Sequence, residues 1–168
     1  MGAQTRIPFW KLAEMVASLV DGWWNRLLFG LRSWFMDEYY YPIDLDQFCN
    51  ILQVWREKIL PKLKYRYDTW DCDDFAEYFA SWAKLMTKTN AIGMGIGILD
   101  LGYAKGWHAW NLVLLRDGKH VYVDMVEPQL GTFVPKPPAK HTLSDWIRTG
   151  RGRTVKGEAV YKLRYAIW

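Results

Sequence analysis

The stretch YDTWDCDDFAEYFASWAKLM, residues 67–86, decides how the rest of the chain is read. Phe75, Ala76, Phe79, Ala80, Trp82, Ala83 and Met86 recur at the spacing of one helical face. Asp71 or Thr69 can cap that helix, so it begins around Cys72, and Asn90 closes the segment. The pattern predicts a mostly buried helix with a cysteine in its first turn.

Beyond residue 90 the period falls to two. AIGMGIGILDL (91–101) suits a strand whose Gly93, Gly95 and Gly97 share one face, where another backbone or a helix can come close. HAWNLVLL (108–115), RDGK (116–119) and HVYVDMVEP (120–128) read as a β-hairpin turning at Asp117-Gly118. QLGTFVPKPPAK (129–140) is a Pro-rich loop and LSDWIRTG (143–150) a short helix capped by Ser144. RGRTVKGE (151–158) is a basic turn and AVYKLRYAI (159–167) a last strand.

Upstream, Trp10, Ala13, Val16, Val20, Trp23, Trp24, Leu27, Leu28, Leu31, Trp34 and Phe35 give residues 8–36 a wide apolar stripe. Gly22 and Gly30 are soft points, so one long helix or two short ones fit. This segment either packs on the core or meets a membrane interface or another chain. DEYYYPID (37–44) connects it to a helix capped by Asp44 or Asp46. That helix runs to about Leu60, with Phe48, Ile51, Leu52, Trp55 and Ile59 inward and Cys49 read as core packing; Pro61 ends it. Lys62, Lys64 and Arg66, interleaved with Tyr65 and Tyr67, form a basic rim in a loop. Helices followed by an antiparallel sheet make an α+β order. One domain is expected over 1–168, with 1–44 as an N-terminal helical extension and 45–168 as the core.

Composition sets the outer limits. The chain has 168 residues, 51% of them apolar and 24% charged, which excludes disordered, collagen-like and disulfide-stapled classes. Eleven Trp and ten Tyr serve cores and binding surfaces equally. A net charge of +4 falls short of a nucleic-acid signature, even with Arg148, Arg151 and Arg153 added to the basic rim, so nucleic acid is not an expected partner. No apolar run is long enough to span a bilayer and no secretion signal opens the chain, which points to a cytoplasmic protein with Cys49 and Cys72 as free thiols.

Cys72 and His108 carry the chemistry. A helix N-terminus presents unpaired N–H groups and partial positive charge, both of which favour a thiolate. An imidazole beside it can shuttle a proton, and an acceptor oxygen on the second ring nitrogen fixes the tautomer. Glu127 and Asp124 on the return strand are the candidates for that oxygen. With the turn at Asp117-Gly118, His108 falls opposite Glu127 and shares its face; Asp124, of opposite parity, serves only if a bulge shifts the register. Asn111 also faces away from His108. Asp71, Asp73 and Asp74 suit the dipole of a first helical turn, yet carboxylates beside a thiol oppose its ionisation unless a cation offsets them.

DCDDFA, GWHAWNLVLL and VYVDMVEPQ together resemble the core of the papain-like and transglutaminase-like cysteine enzymes. A closer resemblance is to the cysteine-protease domain appended to a fungal agglutinin. The resemblance spans roughly residues 68–130. It implies a Cys-bearing helix packed on an antiparallel sheet, Cys72 as nucleophile, His108 as general base or acid and Glu127 as orienting carboxylate. It implies a thiol protease, amidase or acyl transferase acting on a peptide or protein substrate, and a calcium requirement with Asp73 and Asp74 as candidate ligands. No papain-type Gln precedes Cys72 at the usual spacing, so backbone amides, Gln47 or Gln53 would have to stabilise an oxyanion. The competing expectation is a catalytically inactive binding or assembly protein that uses the Trp-rich N-terminal segment as its interface.

Overall fold

The computed structural model describes residues 5–20, 22–66, 70–101, 105–134, 141–144, 154–157 and 160–168. In chain order they form β1 (Ile7–Pro8), α1 (Phe9–Ala17), α2 (Trp23–Arg32), β2 (Tyr39–Tyr40), β3 (Ile43–Asp44) and α3 (Leu45–Val54). These are followed by α4 (Cys72–Thr87), β4 (Ile92–Asp100), β5 (Lys105–Asp117), β6 (His120–Glu127), β7 (Thr132–Phe133), β8 (His141–Ser144), β9 (Thr154–Gly157) and β10 (Val160–Ile167).

α4 begins at Cys72 because Asp71 and Asp74 close a capping box, the Asp71 N–H donating to the Asp74 carboxylate at 3.0 Å. It stops where Lys88 turns left-handed (φ 55°). Its inner side chains Phe75, Ala76, Phe79 and Ala83 are wholly buried.

The main sheet has the order β10-β4-β5-β6-β7. β3 joins it parallel to β5, pairing Ile43 with Leu115 and Asp44 with Arg116. It occupies the edge that β4 leaves free beyond the Ile92–Val113 pair. The expected layout of helices first and a purely antiparallel sheet is therefore corrected on two counts. Three short strands lie within the first 44 residues, and the sheet is mixed. A two-residue strand carries no readable periodicity, which is why neither feature shows in the sequence. β8 and β9 pair with each other. The short helix expected over 143–150 lies outside the described residues from 145 onward, and residues 143 and 144 belong to β8.

The glycine ladder of β4 is filled by rings and backbone. A Cβ on Gly93 would meet the Trp168 ring at 2.7 Å, and one on Gly97 would meet the Lys162 carbonyl oxygen at 2.1 Å and Trp110 at 3.0 Å. β10 and Trp110 thus occupy the space that side chains would have taken.

α3 is shorter than expected and continues as a π-helical turn, Trp55–Ile59, and a 3-10 turn, Leu60–Lys62. Asp44 stands at its N-cap, but its carboxylate is held by Arg116 at 2.8 and 2.9 Å. Phe48 and Leu52 point inward, one turn apart, which leaves Cys49 exposed and corrects its reading as core. Trp55 is fully buried and donates its indole N–H to the Pro128 carbonyl at 2.8 Å.

Residues 8–36 break into two helices at Gly22 (φ 79°), whereas Gly30 sits inside α2 without interrupting it. Leu12, Val16, Val20 and Phe29 belong to the same core as the sheet. Two backbone bonds of 2.9 Å tie Trp34 to Ala166 and Trp168. Among the described residues no helix is long and apolar enough to cross a membrane.

Candidate functional site

The head of α4, the middle of β5 and the end of β6 meet at one place. Cys72 is the first residue of α4 and is partly exposed. His108 lies in β5 opposite Gly97, where the Lys162 carbonyl and the Trp110 ring fill the space of a side chain. Glu127 ends β6. His108 Nε2 lies 2.7 Å from Glu127 Oε2, and the His108 side chain is also hydrogen-bonded to Cys72.

The hairpin explains why Glu127 was legible. Its closing pair is Asp117–His120, so the turn is Gly118-Lys119, with Gly118 at φ 57°. The turn lies one residue later than expected. The register therefore slips by two, and Glu127 falls opposite Trp110 rather than His108. A two-residue slip keeps every side chain on its face, so His108 remains the diagonal neighbour of Glu127. Asp124 pairs with Val113 and accepts the Met125 N–H at 2.9 Å. Asn111 donates to the carbonyls of Ala76 and Gly93.

Burial strongly colours the electrostatics. His108 is 5% exposed and Glu127 1%. Burial by itself would lower the His108 pKa. The Glu127 charge, the hydrogen bonds to Cys72 and Glu127, and the Cys72 charge outweigh it and raise the pKa to about 10. An imidazolium therefore persists between an acidic oxygen and a sulfur. Glu127 accepts two further bonds, from the Tyr161 hydroxyl at 3.1 Å and the Gln129 N–H at 3.2 Å. Burial, then the Glu127 charge and this hydrogen bond, push the Tyr161 phenol well above its ordinary value. The rings of His108, Trp110 and Tyr161 lie 5.2–6.2 Å apart, centroid to centroid.

Tyr161 and Gln129 were not singled out from sequence. Tyr161 arrives from β10, and no local pattern announces it. Gln129 follows the Glu127-Pro128 pair directly and is 2% exposed, with neither side-chain polar atom bonded among the described residues. Gln47 and Gln53 sit on the outer face of α3, where Gln53 bonds Glu57.

The ligand atoms of Asp71, Cys72 and Asp73 lie within 4.8 Å of one another. Asp74 is committed to the capping box. Two carboxylates fall well short of the six to eight oxygens that calcium takes, so these residues do not build a calcium cage by themselves.

Residues 28–141 match the family described as the ricin-type beta-trefoil lectin C-terminal domain. The chain belongs to that family. No curated protein matches this lectin C-terminal domain. Among solved structures, one titled "PSL1a-E64 complex" is similar at a TM-score of 0.50 and 25% identity, covering 82% of this chain and 43% of that one. The lectin of Polyporus squamosus, bound to the human-type influenza-binding epitope Neu5Aca2-6Galb1-4GlcNAc, shares the fold at a TM-score of 0.50 and 22% identity. That match covers 93% of this chain and 48% of the lectin. The lectin C-terminal domain described here thus spans less than half the length of either structure.

Membership corrects the papain-like and transglutaminase-like assignment. The matching family is a lectin's and a structure sharing the fold is titled a lectin, so the labels thiol protease, hydrolase and catalytic triad give way to a lectin C-terminal domain. The papain/transglutaminase-like core likewise gives way to a lectin domain whose core is mainly sheet. A cysteine at a helix head, a histidine on a strand and a carboxylate on the next form a local geometry, and such geometries recur on unrelated folds. A peptide substrate finds no support in these relatives; the Polyporus squamosus lectin is titled with its own glycan.

Proposed function

We propose that this chain is the C-terminal module of a carbohydrate-binding lectin, and that the module's own site is a reactive thiol at Cys72 served by His108 and Glu127. Family membership supports the first part. The single observation behind the second is the hydrogen-bonded chain from Cys72 through His108 to Glu127. The proton of the pair rests on His108 as an imidazolium, which Glu127 holds in place beside the Cys72 sulfur. The sulfur forms a bond to an electrophilic carbon of the ligand, and the group opened or displaced there takes that proton.

The complex of PSL1a with E64 makes that compound the first ligand to try. Mass spectrometry after incubation at neutral pH should find E64 on Cys72 and not on Cys49, although Cys49 is the more exposed thiol. His108→Ala should slow labelling by roughly a hundredfold, the scale of a positioned proton shuttle. Equal labelling of the two cysteines sinks the thiol site. Retention of immobilised-glycan binding by Cys72→Ala would place sugar recognition on a separate surface.

The partner reading extends to the N-terminal helices. Trp23, Trp24 and Leu27 project from α2 at 75%, 55% and 51% exposure, and this outward apolar face supports contact with a membrane interface.

A further inference from the structure

The basic rim of residues 62–66 is not used by the thiol site, yet it lines a cavity of about 390 Å³ with Lys62, Leu63, Lys64, Arg66 and Trp70. That volume lies within the range of small-molecule sites. Among the described residues that line it, three are cationic and none is a carboxylate. Among the described residues no ion pair involves Lys62, Lys64 or Arg66. Trp70 supplies the aromatic wall of the cleft.

The cavity is fixed to the head of α4. Arg66 and Trp70 exchange two backbone hydrogen bonds of 2.8 Å. Tyr65 and Trp70 both pack on Phe75, at ring separations of 6.5 and 6.0 Å. Trp70 is two residues before Cys72. Clustered positive charge around an open cleft is complementary to one chemistry, a compact anion with several acceptor oxygens.

We propose that this cleft binds a small anionic ligand through a carboxylate or phosphate group, which lies against the Trp70 ring and neutralises Lys62, Lys64 and Arg66. The site lies beside the thiol but does not depend on its reactivity.

Nuclear magnetic resonance of the indole N–H groups tests it on the intact chain, with the Trp70 signal assigned by its loss in Trp70→Phe. Glucuronate, glucose and inorganic phosphate are titrated separately. Glucose matches glucuronate except for the carboxylate, and phosphate tells a sugar acid from any compact oxyanion. The Trp70 signal is expected to move with glucuronate, phosphate or both, and to stay with glucose. Substituting Lys62→Gln, Lys64→Gln and Arg66→Gln together should weaken the response at least about tenfold, with the other indole signals unchanged as the sign of an intact fold. Raised salt should weaken it as well. A signal that ignores both anions at about 10 mM, follows glucose equally, or survives the triple substitution unweakened overturns the proposal. Failure of E64 to label Cys72 would leave this result untouched, so the two readings fail separately.

Discussion

Glu127 is 1% exposed and accepts hydrogen bonds from His108, Tyr161 and the Gln129 backbone. A buried carboxylate is tolerable only with partners of this kind. Its effect on His108 gives a pH prediction with a definite sign. The folded pKa of about 10 lies above the ordinary 6.5. The folded state therefore holds the proton more tightly than the unfolded one. The stability this contributes is fully present below pH 6.5 and is lost as pH rises through about 10. Denaturant unfolding between pH 6 and pH 10 should show that loss in the native chain. Glu127→Gln removes the leading cause of the raised pKa, so its stability should fall less over the same interval. Parallel pH profiles for the two proteins would contradict the assignment of His108 as a buried imidazolium.

At the scale of elements, the glycines of β4 differ sharply from the glycine of α2. A methyl group on Gly97 has no room, because the Lys162 carbonyl oxygen would lie 2.1 Å away and that atom is backbone. A methyl group on Gly30 meets nothing within 4 Å. Gly97→Ala must therefore lift β10 from β4 and should cost about 2 kcal/mol or more. Gly30→Ala should stabilise by roughly 0.5–1 kcal/mol, since alanine loses less freedom in a helix. Denaturation midpoints of the two variants measure both, and equal shifts would refute the packing account. These elements also show how far the sequence could be read. The start of α4 was legible because cap and periodicity agree at Asp71 and Cys72. Glu127 was legible through strand parity, which survived a two-residue error in register. Tyr161 was not, because its approach depends on the order β10-β4-β5-β6, set by long-range pairing. The parallel seat of β3 was hidden for the same reason. The family was not legible from Cys72, His108 and Glu127, since three residues define a local chemistry and not a fold.

For the whole molecule, the question is what meets its N-terminal face. α2 turns apolar side chains both inward and outward. Phe29 is 1% exposed and turns inward, while Trp23, Trp24 and Leu27 share the outward side, and Trp34 and Met36 extend the exposed apolar surface. Arg26 and Arg32 are exposed on the same helix, and its sequence WWNRLLFGLR holds no acidic residue. Tryptophan suits the boundary between lipid headgroups and chains, and flanking arginines pair with anionic headgroups. The chain should therefore co-sediment with vesicles containing phosphatidylserine. Replacing Trp23, Trp24 and Leu27 together by Ser should lower that partition by at least about tenfold, because each apolar side chain withdrawn from the interface forfeits about 1 kcal/mol or more. The unfolding midpoint should barely move, since these side chains already stand in water in the isolated protein. Substituting Arg26→Gln and Arg32→Gln should weaken binding chiefly at low salt, where headgroup charge is least screened. Undiminished binding by the Ser variant would show that the aromatic face meets something other than lipid, and would direct the search to a protein partner.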